Sequence, residues 1–279
     1  MNSIKWKDFQ KKIEKGQTNH KADLYARWFV WKLSASISFL MVRTPFSANQ
    51  ITVFQEIVGV IGAVLLACIE IKYAIFGIIL LQIGYIFDCV DGEVARFKNQ
   101  QSVRGVYLDL IGHQIVIPMY IFFNGLGVYL RLGYIDAIIL GFLGALFLLR
   151  TDVFSMFSVV NTMIEKGDNR NYDPSLLNQK INKNKSEIVF KKRTGWKWVI
   201  RKKWSYPDSM NMLTIAVLLD YFFEPFYFNE KTISYAYIFT YWFTIPIVIG
   251  RLFSYTKIFN QDEISQHFHR IVNKSKTKF

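Results

Sequence analysis

Only two of the 279 residues are cysteine, Cys68 and Cys89. They form no C-x-x-C pair and have no Cys/His metal spacing, which argues against a disulfide framework or a zinc site. No internal repeat, Pro-rich linker or low-complexity tract divides the chain, so it reads as one domain. The first 24 residues are polar and Lys-rich and lack the apolar core of a cleavable signal peptide, so the apolar spans themselves are expected to direct insertion. Acids are the minority charge, 21 against 34 Lys and Arg, for a formal net charge of +13. In a soluble chain that excess would raise nucleic-acid binding. The placement of the charge argues for a membrane instead, and no nucleic-acid partner is expected.

Apolar residues dominate. Hydrophobic side chains make up 52% of the sequence and aromatics 17%, with 25 Phe, more than an ordinary soluble domain carries. A bilayer core about 30 Å thick needs about 20 apolar residues per helix. Six stretches supply them, near 49–70, 73–95, 106–129, 134–159, 209–228 and 233–255. The fold class expected is therefore an all-α integral membrane protein with six transmembrane helices. Lys and Arg fall in alternate connections: nine in 1–43, three in 96–104, twelve in 160–208 and six in 251–279. The three short connections between them carry only Lys72, Arg131 and Lys231. The positive-inside rule then places both termini, the 96–104 turn and the 160–208 loop in the cytosol, in an inner or plasma membrane if the source is bacterial. Basic segments against a membrane also attract anionic lipid.

Residues 1–24 read as a mobile cytosolic arm. "LYARWFVWKLSASISFLMV" (24–42), with Arg27 and Lys32 along it, reads as an amphipathic helix lying in the interface ahead of the spans. A seventh span there would put the two basic ends on opposite sides. The division expected is 1–43 for arm and interfacial helix, 44–256 for the six-helix domain with its loop 160–208, and 257–279 for a basic tail. The loop ends in "KKRTGWKWVIRKKW", whose interleaved Trp and basic residues suit the headgroup level.

Acids inside apolar spans need a reason, and "DCVDGEVARFKNQQSVRGVYLDLIGH" (88–113) places Asp88, Asp91, Glu93 and Asp109 there. On helices Asp88 and Asp91 are three apart and Asp109 and His113 four apart, so each pair shares a face. The turn between them folds the pairs together near the cytosolic surface. A divalent cation offsets the cost of gathered carboxylates, and oxygen-rich ligand sets favour Mg²⁺ or Mn²⁺. Two such ions form a clamp for a diphosphate. Gly92 and Gly105 suit close approach of a phosphate or nucleotide to backbone. Ala95 is a further small residue on that face, and Arg96 suits a phosphate or a carboxylate.

The set Asp88-x2-Asp91-Gly92-x2-Ala95-Arg96-x8-Gly105-x3-Asp109-x3-His113 resembles the signature of the CDP-alcohol phosphotransferase family, D-x2-D-G-x2-A-R-x8-G-x3-D-x3-D. Seven of the eight positions match with every spacing kept. "TPFSANQIT" (44–52) is similar to the family's T-P-N-x-(I/V)-T segment, lengthened by Phe-Ser-Ala. The resemblance implies six helices and an active site at the cytosolic ends of the second and third. It implies two divalent ions on Asp88, Asp91, Asp109 and His113, and a CDP-binding site lined by Gly92, Ala95, Arg96 and Gly105. It further implies a CDP-linked donor, an acceptor alcohol whose hydroxyl attacks the β-phosphorus with release of CMP, and a homodimer. Asn49, Thr52 and Arg150 are additional phosphate-binding candidates. The departure is His113, where the family has the Asp that ligates the second metal and serves as general base. An imidazole, with an ordinary pKa of about 6.5, can fill either role. The alternatives are a non-catalytic lipid- or nucleotide-binding relative, and a transporter in which Arg150 and Asp152 mark a pathway. Against the transporter, the acids cluster toward one membrane face and no inverted repeat shows.

Overall fold

An apolar stretch in lipid must satisfy its backbone hydrogen bonds internally, and a helix does this residue by residue. The computed structural model describes residues 6–17, 29–149, 204–223, 225–228 and 231–260. Its helices are α1 Trp6–Gln17, α2 Trp31–Met41, α3 Ala48–Leu65, α4 Ile71–Lys98, α5 Val103–Leu132, α6 Ile135–Leu148, α7 Asp208–Phe222 and α8 Tyr235–Asn260. Among the described residues, four stretches are long and apolar enough to cross a membrane: α3, α4, residues 104–132 of α5 and residues 235–253 of α8. α6 is apolar but has 14 residues, about 21 Å at the usual rise, against the ~30 Å of a bilayer core. The chain is an all-α membrane protein. Among the described residues the one departure is a short antiparallel pair of strands, β1 Phe226–Phe228 with β2 Lys231–Ile233, pairing Phe226 with Ile233 and Phe228 with Lys231.

That pair of strands corrects the span expected at 209–228. Helix α7 stops at Phe222, and Phe223 is already extended (φ −119°, ψ 132°). Pro225 follows two residues later, denies its own N–H and disfavours helical geometry just before it. The rest of the stretch expected to span at 134–159, beyond Leu149, lies outside the described residues, as do most of the 160–208 loop and the tail from 261 onward.

The helices bury several polar side chains beside an apolar core that includes Ile78, Leu81, Tyr120 and Phe243, and leave many large apolar side chains outward. Thr52, Gln55, Asn124, Thr240 and Thr244 are buried, whereas Ile57, Ile61, Phe76, Ile79, Ile139 and Phe142 are exposed. So many exposed large apolar side chains suit a surround of lipid, as apolar as Leu itself, and not of water.

The described chain packs as two units, with α3, α4 and α5 contributing to both. The first comprises residues up to 59 and 82–112. In it, α1 corrects the expectation of a mobile arm: Trp6, Phe9 and Ile13 form one stripe, and Phe9 and Ile13 are buried. The Phe9 ring packs at 5.4 Å from Phe39 on α2 and 5.2 Å from Phe97 on α4. The stripe is easily missed in a Lys-rich stretch, because three apolar residues suffice to dock a helix one turn at a time. Helix α2 buries Ser34, Ala35 and Ser38 and leaves Leu33 and Leu40 exposed, so its apolar face is the outward one. The loop before α3 is tied to α4 by Lys98, whose Nζ donates to Thr44 O (2.8 Å) and Phe46 O (2.7 Å). Ser47 and Gln50 then form a reciprocal capping box at the start of α3.

The second unit comprises residues 60–81, 113–149 and 204–260 of the described chain. Glycines set its helix spacing. A Cβ at Gly62 on α3 would lie 2.8 Å from Gly77 O on α4, and one at Gly141 on α6 would lie 3.0 Å from Gly125 Cα on α5. Polar bonds fill the remaining seams: Asn124 Nδ2 donates to Thr240 Oγ1 (3.0 Å), and the Tyr120 and Ser209 hydroxyls pair at 2.8 Å. Helix ends are closed by charge. Arg131 donates to Leu66 O and Cys68 O beyond the end of α3, and Asp220 accepts from Tyr235 N and Ala236 N at the start of α8.

Candidate active site

Helix α4 carries Asp88 and Asp91 because its apolar run continues past Tyr85 without a breaker until Asn99, a left-handed residue (φ 55°) that ends it. Ser102 opens α5 three residues later, its Oγ accepting from Gly105 N at 3.1 Å. The turn returns the chain so that Asp109 faces α4, and His113 follows one helical turn on.

Asp88, Asp109 and His113, all half-buried, each offer a ligand atom, and these atoms lie within 4.8 Å of one another. Two carboxylates and an imidazole at that separation suit one divalent cation, whose ligand atoms sit 2.0–2.6 Å from the metal. Asp91 stands outside that trio. It is buried one turn further along α4, and its Oδ2 accepts the Thr52 hydroxyl at 2.5 Å. Thr52, expected as a phosphate contact, is thus committed to a carboxylate.

The other expected residues are placed as follows. Asn49 lies against α5, where a Cβ at Gly105 would come within 3.0 Å of its Oδ1, so the space at that glycine is filled by a side chain of the protein itself. A Cβ at Gly92 would meet Arg96 Nη1 at 3.3 Å, so the guanidinium folds back over the α4 backbone. Arg96 Nε is buried and has no hydrogen-bond partner among the described residues. Ala95 is half-buried on the same helix. Arg150 and Asp152 lie outside the described residues.

Several residues at the site were not singled out from the sequence for a role. Gln55 is 4% exposed, and its Nε2 lies 3.3 Å from Asp88 Oδ1 and 3.2 Å from Glu56 Oε1. The Glu56 carboxylate rests against Gly112, where any Cβ would overlap it. Glu93 is buried and accepts from Ser34 Oγ of α2 at 2.9 Å, which fastens that helix to the signature helix. Tyr206 sets its ring edge-on to His113 with centroids 4.8 Å apart. Glu93 was already conspicuous as an acid of the 88–113 stretch, and Glu56 left a similar trace as an acid within the first apolar span.

The donor set fits a divalent ion: hard oxygens and one imidazole, with a buried amide oxygen, Gln55 Oε1, that has no hydrogen-bond partner among the described residues. Among protein families, the model of CDP-alcohol phosphatidyltransferases matches residues 46–172. No curated protein matches the chain. The matched stretch begins at the loop before α3 and contains all the acids described above, and the family it names transfers phosphate from a CDP-alcohol to an acceptor with the help of divalent metal. Over residues 46–172 this membrane protein is therefore similar to the CDP-alcohol phosphatidyltransferases.

Proposed function

We propose that the protein transfers the substituted phosphate of a CDP-linked donor, CDP-diacylglycerol or another CDP-alcohol, to an acceptor alcohol, releasing CMP in phospholipid or related phosphodiester synthesis. The observation that carries this reading is the meeting of Asp88, Asp109 and His113 within the matched family segment. Asp88, Asp91, Asp109 and His113 would hold two divalent ions, Mg²⁺ or Mn²⁺. Ions held there would neutralise the donor diphosphate and polarise its phosphorus. The acceptor oxygen bonds to the β-phosphorus as the bond from that phosphorus to the CMP oxygen breaks. His113 takes the acceptor's proton, and Tyr206 restricts the tilt of its ring. Thr52 keeps Asp91 in one rotamer. Arg96, whose Nε has a hydrogen to give, contacts the donor diphosphate.

The same reading puts residues 44–256 in the membrane as six spans, with 1–43 and 257–279 flanking them. The alternation of Lys and Arg supports a cytosolic position for both termini and the site. The test is direct. Purified protein is incubated with CDP-diacylglycerol or soluble CDP-alcohols and a panel of acceptors, with Mg²⁺ or Mn²⁺, and CMP is measured. CMP formed only with donor, acceptor and metal together supports transfer. Donor binding without CMP release from any pair would instead indicate a non-catalytic relative.

A further inference from the structure

Building on the metal-dependent reading above, we propose that Glu56 is a further carboxylate of the metal site and supplies the acid that position 113 lacks. Helix α3 presents Thr52, Gln55 and Glu56 on one face, one turn apart, and each engages the signature or its neighbours. Thr52 bonds Asp91, the Gln55 amide reaches both Asp88 and Glu56, and Glu56 lies against Gly112. Gly112 follows Asp109 by three residues and immediately precedes His113, so Glu56 borders the segment of α5 that carries both. The missing Cβ at Gly112 is what makes room for it, since even an alanine would occupy the carboxylate's position.

Charge gives the arrangement its purpose. Three aspartates and a neutral imidazole bring −3 to the site, whereas the family's four aspartates bring −4, the charge that balances two divalent cations. Glu56 restores that balance from a different helix. A carboxylate within an apolar span is costly, and a shared cation offsets that cost. Gln55 supplies an independent sign of a ligand beside it: the amide that joins Asp88 and Glu56 has its oxygen buried with no donor among the described residues. A cation or its water satisfies such an oxygen.

The test measures metal binding apart from turnover. Mn²⁺ is titrated into the detergent-purified full chain and free Mn²⁺ is followed by electron paramagnetic resonance, with metal-free thermal unfolding run alongside. Glu56→Gln is expected to lose one ion or weaken it at least about 10-fold, and adding His113→Asp in the same chain is expected to restore it. Wild-type stoichiometry and affinity in Glu56→Gln overturn the proposal. So does a deficit that His113→Asp leaves unrepaired. If Glu56→Gln does not fold, Glu56→Asp, which keeps the charge on a shorter stem, should retain both ions with one weakened; unchanged affinity there also overturns it. Failure of the wild-type protein to bind Mn²⁺ would refute the metal-dependent reading itself, an outcome distinct from a Glu56 variant that binds normally.

Discussion

Replacing Thr52 by Val keeps the branched shape inside α3 and removes a single hydroxyl. That hydroxyl lies 3.1 Å from Ala48 O and 2.5 Å from Asp91 Oδ2, but it has one proton, and the shorter contact takes it, a charge-assisted bond when Asp91 is ionised as metal ligation requires. Neutral side-chain bonds between membrane helices average about 0.6 kcal/mol, too little to be diagnostic. A bond to a charged group is worth about 1.5–3 kcal/mol, and both residues are buried, so water does not substitute. At about 1.4 kcal/mol per decade this is a loss of about 10- to 150-fold in whatever depends on Asp91 being held. If Asp91 serves the metals, the loss appears as a higher metal concentration for half-maximal CMP release, with the rate at saturating metal largely recovered. Thr52→Ser, which keeps the hydroxyl, should stay within a few-fold of wild type. A Thr52→Val protein with unaltered metal half-saturation and unaltered melting would refute the reasoning, because the bond would then have no energetic consequence.

Asp88→Asn and Asp109→Asn should each abolish CMP release in a protein that still inserts and melts cooperatively; more than about a tenth of wild-type activity in both would remove the metal site from the mechanism. His113→Ala should be nearly inactive under saturating metal, and wild-type turnover in that variant would assign the acceptor's proton to another residue. Gly62→Ala should lower the melting temperature in detergent by the equivalent of about 1–3 kcal/mol, since its Cβ would meet backbone atoms of Gly77 and Leu81 at 2.8 and 3.0 Å. Gly250→Ala, with nothing within 4 Å of the added carbon, should be neutral or slightly stabilising, because Ala is the better helix former, and an equal loss at both glycines would refute close approach as the cause at Gly62.

Length and apolarity alone located α3, α4, α5 and α8 to within about five residues at each end, and the starts of α6 and α7, because a lipid-facing helix writes its extent into an unbroken apolar run. The carboxylates of the signature were legible for the opposite reason: in such a run an acid stands out. What could not be read was partnership across distance. Nothing at position 52 announces a bond to Asp91, 39 residues away, and Gln55 has the look of any polar residue near a span's end. Gly92 and Gly105 were read as openings for a nucleotide, yet the first faces Arg96 and the second Asn49. Helix α1 was obscured by its lysines, and the strand pair β1 and β2 by aromatic residues that suit strand and membrane helix equally.

The glycine contacts bear on how this chain can drift over generations. In a water-soluble protein the oily core resists replacement and the surface wanders. Here an outward residue such as Phe76 or Ile139 faces a solvent of acyl chains, which accepts Leu, Val or Met in its place with little consequence. Gly62, Gly77, Gly125 and Gly141 leave no room for even one carbon. Distant descendants should therefore look unrelated along their apolar faces while keeping the intervals between their smallest residues, and a search weighted toward those intervals would recognise kin that overall identity misses.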